Sequence, residues 1–418
     1  MRSITLLLLF GRSATGGHPY AFNNITPRGS EASAATIDQT ASIQYALKSL
    51  FRRKSGSHPN TMFRVSIQPR WQLQANDGDA VVQRLIDLLV GIHEGGSLAA
   101  ACARLEVSYR YAWGILQKGQ KIFGTPLVTS SRGSGAQLTV LGEKLVWADK
   151  RIAARLSPLL DSLASEIEVE FERAVAHAEA ILRIHASHGF AVETLHRFLT
   201  RQQLAADLKY RSSREVLASL TRGNCDLAGL HVPMGEFEPR FLRLYTKPLR
   251  SGPYRLLDLA TRRQGLMVAR GNPKKIRRIA DLTRRGVRFV NRQPDSGTRL
   301  LFDLLLAKHR VDGRTIEGYD TGEFTHAAVA AYVASSMADA GFGIETPAQR
   351  FGLDFIPLVK ERYFFLFHAE RAESPAIQQA MTILRSAEFR KAVDKLPGYD
   401  ATNCGRVFDL ADAFPALT

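Results

Sequence analysis

Read for spacing alone, the chain changes rhythm three times. Val81, Leu85, Ile86, Leu88, Leu89 and Ile92 recur at steps of three and four, predicting a helix that Gly95-Gly96 stops. Ser97 can accept a hydrogen bond from the first free N–H groups of a second helix, Leu98 to Leu105, whose Ala99, Ala100, Ala101 and Ala103 let a neighbour come close. After the turn Glu106-Val107, Ser108 is a second N-cap and opens a third helix, Tyr109 to Lys121. The segment from Phe123 to Val128 ends that helix and starts a strand. Arg132-Gly133-Ser134-Gly135 is then a flexible basic tip, and Ala136 to Leu138 returns.

The second rhythm is a long apolar stripe: Leu141, Leu145, Ala148, Ile152, Leu156, Leu159, Leu160, Leu163 and Ile167. It predicts a connecting helix over about residues 139–178, capped by Thr139, with Glu143 near its positive end and a kink at Pro158. An apolar stripe on a helix projecting from a small domain wants a partner. The same helix of a second subunit is the economical one, so a homodimer is expected, with its pairing into a tetramer left open.

From Ala180 short apolar strands alternate with helices, the pattern of an α/β sheet. Strands are expected at residues 181–185, 208–211, 226–231 and 287–290, and helices at 190–199, 214–222, 300–308 and 327–335. The turns between them carry Ser187-His188, Ser212-Ser213, Ser296-Gly297-Thr298 and Thr325-His326. Such turns place hydroxyls and free N–H groups at one rim of the sheet, where open α/β folds bind ligands and where an anion suits the helix starts. Arg292 and Arg299 add charge to the loop around Gly297, where the backbone can come close.

Composition narrows the class. At 418 residues the chain predicts two or three domains, and 45% hydrophobic with 23% charged residues is the balance of a globular protein. The net charge of +16 points toward a polyanion. Three cysteines, Cys102, Cys225 and Cys404, sit at unpatterned spacing and favour a reducing compartment over a disulfide framework. The apolar run Leu6 to Phe10 is too short to span a membrane, and a charge returns at Arg12. Residues 1–75 read as a disordered or mis-started extension in preference to an export signal, and the expected location is the cytoplasm.

Two short helices joined by a tight turn, the second rich in aromatic and basic residues, form a helix-turn-helix pattern. Ser97, Ser108, Tyr109, Arg110, Tyr111 and Lys118 are the candidate DNA contacts, with Arg132 at the tip of a wing against phosphates and Trp113 expected in the core. The run from Gly95 to Val146, with its F-G-x-P-L turn and L-T-x-x-G-E exit, resembles the winged helix-turn-helix of LysR-type regulators, and more closely that of the molybdate-responsive regulator ModE. The resemblance implies a dimer on an inverted repeat of double-stranded DNA.

Residues 180–370 resemble the type-2 periplasmic-binding-protein fold, in particular the molybdate-binding-protein-like domain of some regulators, through SSREVLASLTRGNCDLAGLHVP, NRQPDSGTR and THAAVAAYVASSMADAGFGIETPA. The expected architecture is therefore a winged helix-turn-helix domain (76–138), a linker helix (139–178) and a two-lobed α/β effector domain (179–418). Its lobes would be 179–265 plus 346–418, and 266–345. The resemblance implies that Ser187, Ser213, Ser296, Gly297, Thr298 and Thr325 line the cleft. His188, Arg292, Arg299 and His326 complete the candidate set. Ser212 and Ser213 can equally be plain helix caps, Arg299 can pair with an acidic neighbour, and His326 can merely cap its helix. His231 and Asp339 read as structural. No catalytic set, metal-ligand spacing or cofactor motif is recognised. The expected function is a regulator sensing a small anion, molybdate or tungstate first. A solute-binding protein for oxyanion transport and a sensor of a small organic acid are the alternatives.

Overall fold

The computed structural model describes residues 3–6, 64–71, 73–74, 80–81, 83–131, 135–176, 181–249 and 252–414. The extension expected over 1–75 falls largely outside them, as do Arg132 and the rest of the wing tip. Strand β1 (Ser3–Leu6) runs parallel to β2 (Arg64–Ile67), and β3 (Leu73–Gln74) pairs antiparallel with β4 (Ala80–Val81). Helices α1 (Gln83–Gly95), α2 (Leu98–Leu105) and α3 (Tyr109–Phe123) are followed by a hairpin, β5 (Val128–Ser131) with β6 (Gly135–Leu138).

The caps explain why these helices start and stop where they do. Ser97 Oγ accepts from Ala100 N at 3.1 Å and Ser108 Oγ from Tyr111 N at 3.2 Å. Glu106 adopts φ 54° to end α2. Leu85, Leu89, Ile92, Leu98, Leu116, Leu127 and Val146 close one small core, each worth about 1.5–3 kcal/mol of burial. Trp113 does not join it. Ala112, Leu116 and Gly119 face inward, which turns Trp113 outward at 40% exposure.

Helix α4 (Val140–Ala176) runs 37 residues through Pro158. Thr139 Oγ1 accepts from Gly142 N at 3.2 Å. The sequence expects this helix to project toward a partner subunit; within its own chain two of the nine stripe residues, Leu145 and Leu160, are buried, and Leu141, Ala148, Ile152 and Ile167 are half-buried. Leu145 packs in the small core, and Leu160, Ala164 and Val169 are also buried, leaving Leu156, Leu159 and Leu163 exposed. The reason is an edge strand. Ser162 Oγ and Ser165 Oγ accept from Tyr210 N (3.0 Å) and Leu208 N (2.8 Å), satisfying the outer rim of the main sheet.

That sheet has ten strands among the described residues, with β7 (Leu182–Ala186), β8 (Ala206–Tyr210) and β9 (Leu227–Pro233) parallel at one end. At the other end lie β11 (Phe289–Arg292), β12 (Gly322–Glu323) and β13 (Ala340–Ile344), also parallel. Two 15-residue strands, β10 (Tyr254–Val268) and β14 (Asp354–His368), run antiparallel between them and belong to both lobes. Short β15 (Tyr399–Asp400) and β16 (Val407–Asp409) flank β10. The register shifts between Gln264 and Gly265, where a Cβ on Gly265 would stand 2.0 Å from the Ile356 carbonyl oxygen, so only glycine lets the strands cross there.

Helices α5 (Phe190–Arg201), α6 (Ser213–Thr221), α7 (Glu238–Leu249), α8 (Gly297–Lys308), α9 (His326–Ala334), α10 (Glu345–Arg350), α11 (Pro375–Arg385), α12 (Ala387–Asp394) and α13 (Leu410–Ala413) cover the faces. The second lobe extends past the expected boundary at 345. Ala348 and Leu353 pack with Val290, Val329 and Val333 of that lobe, so the chain returns to the first lobe within β14.

Candidate functional site

Four helix starts converge between the lobes. Ser212 caps α6 in a reciprocal box with Glu215, Ser296 caps α8 by accepting from Arg299 N at 3.1 Å, and Thr325 caps α9 by accepting from Ala328 N at 2.8 Å. Gly189 begins α5 with no side-chain cap. The helix dipoles therefore point their positive ends at one cavity of about 370 Å³. Its walls include Ser187, His188, Tyr210, Ser213, His231, Arg292, Gln293, Ser296, Gly297, Thr298, Phe324, Thr325 and His326, with Arg155, Pro158 and Leu159 contributed by α4.

Arg292 is the principal charge. Its guanidinium is buried, and its bonds go to backbone carbonyls, Nε to Glu323 at 3.1 Å and Nη2 to Phe324 at 2.9 Å. Burial, reinforced by Arg262, pushes its pKa down to about 10, so it stays charged at neutral pH. Burial, then Arg292, Arg262 and Arg350, pushes His188 down to about 3. Burial and the same two nearest arginines hold His326 well below the usual histidine range. Both imidazoles are thus neutral.

Among the described residues, His188 Nδ1, His326 Nδ1, Tyr210 Oη and Gln293 Oε1 are buried without a hydrogen-bond partner. Each orphan carries a penalty of about 1–3 kcal/mol that a bound group can relieve. A fixed cation, the Tyr210 hydroxyl and two neutral imidazoles able to donate, and the positive ends of several helices together describe an anion site.

Beneath the cavity lies a second layer. Glu361 on β14 binds His231 Nδ1 at 3.1 Å and Arg262 Nε; its other close donor is Gln264 Nε2 at 2.5 Å. Burial opposes its ionisation, but Arg262, His231 and Gln264 hold it down at about 2. Gly297 lies against His231, where a Cβ would meet the imidazole Cε1 at 3.0 Å. His231 therefore braces α8 against the hinge strands while its ring also lines the cavity. Asp339 pairs with Arg288 at the surface.

Of the candidate ligand residues, Ser187, His188, Ser213, Arg292, Ser296, Gly297, Thr298, Thr325 and His326 line the cavity. Arg299 does not. Its guanidinium stacks on Tyr319 at 4.0 Å and pairs with Asp303 at 3.2 Å, because the first turn of α8 carries position 299 away from the cleft. Thr325 lines the cavity with its hydroxyl proton already committed to the Ala154 carbonyl at 2.8 Å. That carbonyl is free for a definite reason. Pro158 has no N–H, so the helical bond it would make to Ala154, four residues back, is missing, and Thr325 of the second lobe supplies the donor instead.

Tyr210, Gln293 and Arg155 are the site residues that sequence reasoning missed. Tyr210 lies in an expected strand two residues before the expected cap Ser212, and Gln293 directly follows the expected charge Arg292. Arg155 had no local signal, since its partner Glu323 is 168 positions away. The candidate DNA contacts lie together elsewhere. Tyr109, Arg110, Tyr111 and Lys118 are exposed on α3, with Ser108 exposed at its cap and Ser97 half-buried at the start of α2.

Comparison with known proteins places the lobes in a class. A family model described as a PBP superfamily domain matches residues 194–385, so this region is a PBP-like domain. The chain belongs to the same family as an uncharacterized protein encoded in the 5′ region of a ferredoxin 2Fe-2S gene of Clostridium pasteurianum, 37% identical over 98 residues that make up 23% of this chain and 87% of that protein. The uncharacterized protein YvgK of Bacillus subtilis is 32% identical over 200 residues, 48% of this chain, and the chain spans 64% of that relative's length. The molybdenum-pterin-binding protein MopB of Rhodobacter capsulatus is 34% identical over 89 residues, 20% of this chain and 33% of MopB. Among solved structures, the LysR family transcriptional regulator CbnR superposes with a TM-score of 0.34 and 17% identity, covering 71% of this chain and 97% of CbnR. No helix among the described residues is long and apolar enough to cross a membrane.

Proposed function

We propose that this chain is a ligand-responsive, DNA-binding transcriptional regulator of the cytoplasm whose C-terminal cleft senses a small oxyanion, molybdate or tungstate first. The observation that carries the reading is Arg292, a buried guanidinium bonded to carbonyls in a cavity where helix starts converge and four polar atoms lack partners. The name of MopB, molybdenum-pterin-binding, supports the choice of metal. The exposed face of α3 supports the DNA-reading half, with Tyr109 and Arg110 nearest base edges and Lys118 at phosphates. In this reading residues 76–138 form a winged helix-turn-helix, and a homodimer offers two such helices to an inverted repeat. The cleft binds without catalysis. A ligand changes DNA affinity only by its differential affinity for the two arrangements of the halves, about 1–3 kcal/mol.

One observation favours a second reading. A cavity of about 370 Å³ with Tyr210 and Phe324 in its walls falls in the range of small-molecule pockets, about 300–1,000 Å³, and suits a small organic acid. Calorimetric titration of the full chain with molybdate, tungstate, sulfate and benzoate separates the two. Saturable binding of molybdate or tungstate at micromolar concentration is the expected result. Heat from benzoate alone selects the second reading, and none from either metal oxyanion at millimolar concentration removes the first.

A further inference from the structure

We propose that Arg155, on the helix leading to the DNA-reading domain, is itself a ligand-binding residue of the cleft. This rests on the oxyanion reading above and extends it to a residue outside the PBP-like domain.

Arg155 lines the cavity beside Arg292. Its side chain is 50% exposed, whereas that of its partner Glu323 is 2% exposed, so the guanidinium is the open member of a pair rooted in the second lobe. Glu323 engages Nε at 2.8 Å and also Nη2. A guanidinium carries five N–H donors, which leaves three for a ligand. The backbone carbonyl of the same Glu323 holds Arg292. Glu323 thus anchors both guanidiniums at the cavity wall, Arg155 through its carboxylate and Arg292 through its backbone carbonyl, and each keeps N–H donors for an anion.

The placement of α4 makes that contact informative. Ala154 accepts from Thr325 of the second lobe, while Ser162 and Ser165 hold β8 of the first, so the helix spans the cleft mouth. A ligand drawing Arg155 toward Arg292 pulls directly on the element that enters the DNA-reading domain. No relay through the lobes is required.

The test uses the full chain, with molybdate and tungstate as calorimetric probes. Arg155→Ala should weaken binding by at least about tenfold, or 1.4 kcal/mol. Arg155→Lys, a point charge without the fork, should weaken it less. Arg151→Ala, one turn away beside Met337, should bind as the unaltered chain does. Glu323→Gln, which releases Arg155 from its carboxylate, should tighten binding; this arm guards against Arg155→Ala acting only by undocking α4. Unaltered affinity in Arg155→Ala overturns the proposal, as does a loss in Glu323→Gln equal to that in Arg155→Ala. If the unaltered chain binds neither probe, the oxyanion reading itself fails, and this inference with it.

Discussion

The bond between Thr325 and Ala154 makes a quantitative forecast, because Pro158 is the reason the carbonyl is available. Thr325→Val keeps shape and removes the hydroxyl. It loses the cap on Ala328 N, worth about 1 kcal/mol. It also strands the buried Ala154 carbonyl, at about 1–3 kcal/mol. The single change should therefore cost about 2–4 kcal/mol. In a Pro158→Ala background the new N–H at 158 satisfies Ala154 within the helix, and Thr325→Val then costs the cap alone. The cycle should show a coupling of about 1–3 kcal/mol. Urea unfolding followed by tryptophan fluorescence reads this well, since Trp147 lies on α4 and stacks on Phe351 of the second lobe with ring centroids 6.2 Å apart. Additivity within about 0.5 kcal/mol would refute the claim that the proline creates the docking bond.

Further outcomes follow from the same geometry. Arg292→Ala should lower molybdate affinity by about ten- to a hundredfold, the worth of lost bonds from a charged donor, and an unchanged isotherm contradicts its role. Unfolded, His188 takes a proton near pH 6.5, but folded it resists until about 3, so between those values the unfolded chain binds more protons. Its contribution is complete above pH 6.5 and declines as pH falls; denaturation midpoints between about pH 7.5 and 5.5 should drop, and His188→Gln should flatten the drop. An identical slope in that variant would be the contrary result. Arg110→Ala should reduce preference for the cognate operator, while Lys118→Ala should weaken all DNA alike and lower the salt slope by about one unit. Equal effects of both on random DNA would put α3 outside the major groove.

Much of the fold was legible because local rules and tertiary context agree. Ser97, Ser108, Ser212, Ser296 and Thr325 all cap the helices their spacing announces. The cleft loops were legible for the same reason, as strand-to-helix turns with hydroxyls. The long strands β10 and β14 were not located, because they pass through both lobes and read as mixed apolar and charged runs. Arg262 and Glu361 in them look like surface residues until seen to pair inside the hinge. Arg299 misled because an arginine beside a Ser-Gly-Thr turn looks like an anion ligand, and only the helix phase shows that it points to Asp303. The path of α4 was hidden too. Ser162 and Ser165 carry no signal of their own in the apolar stripe, yet they complete the edge of β8.

Anomalous diffraction from crystals of the full chain grown with tungstate tests the central claim most directly. A tungsten peak should stand in the interlobe cavity, within hydrogen-bonding reach of Arg292 and the starts of α6 and α8. A peak elsewhere, or an interlobe cavity without one at saturating tungstate, would contradict the assignment of this cleft to an oxyanion.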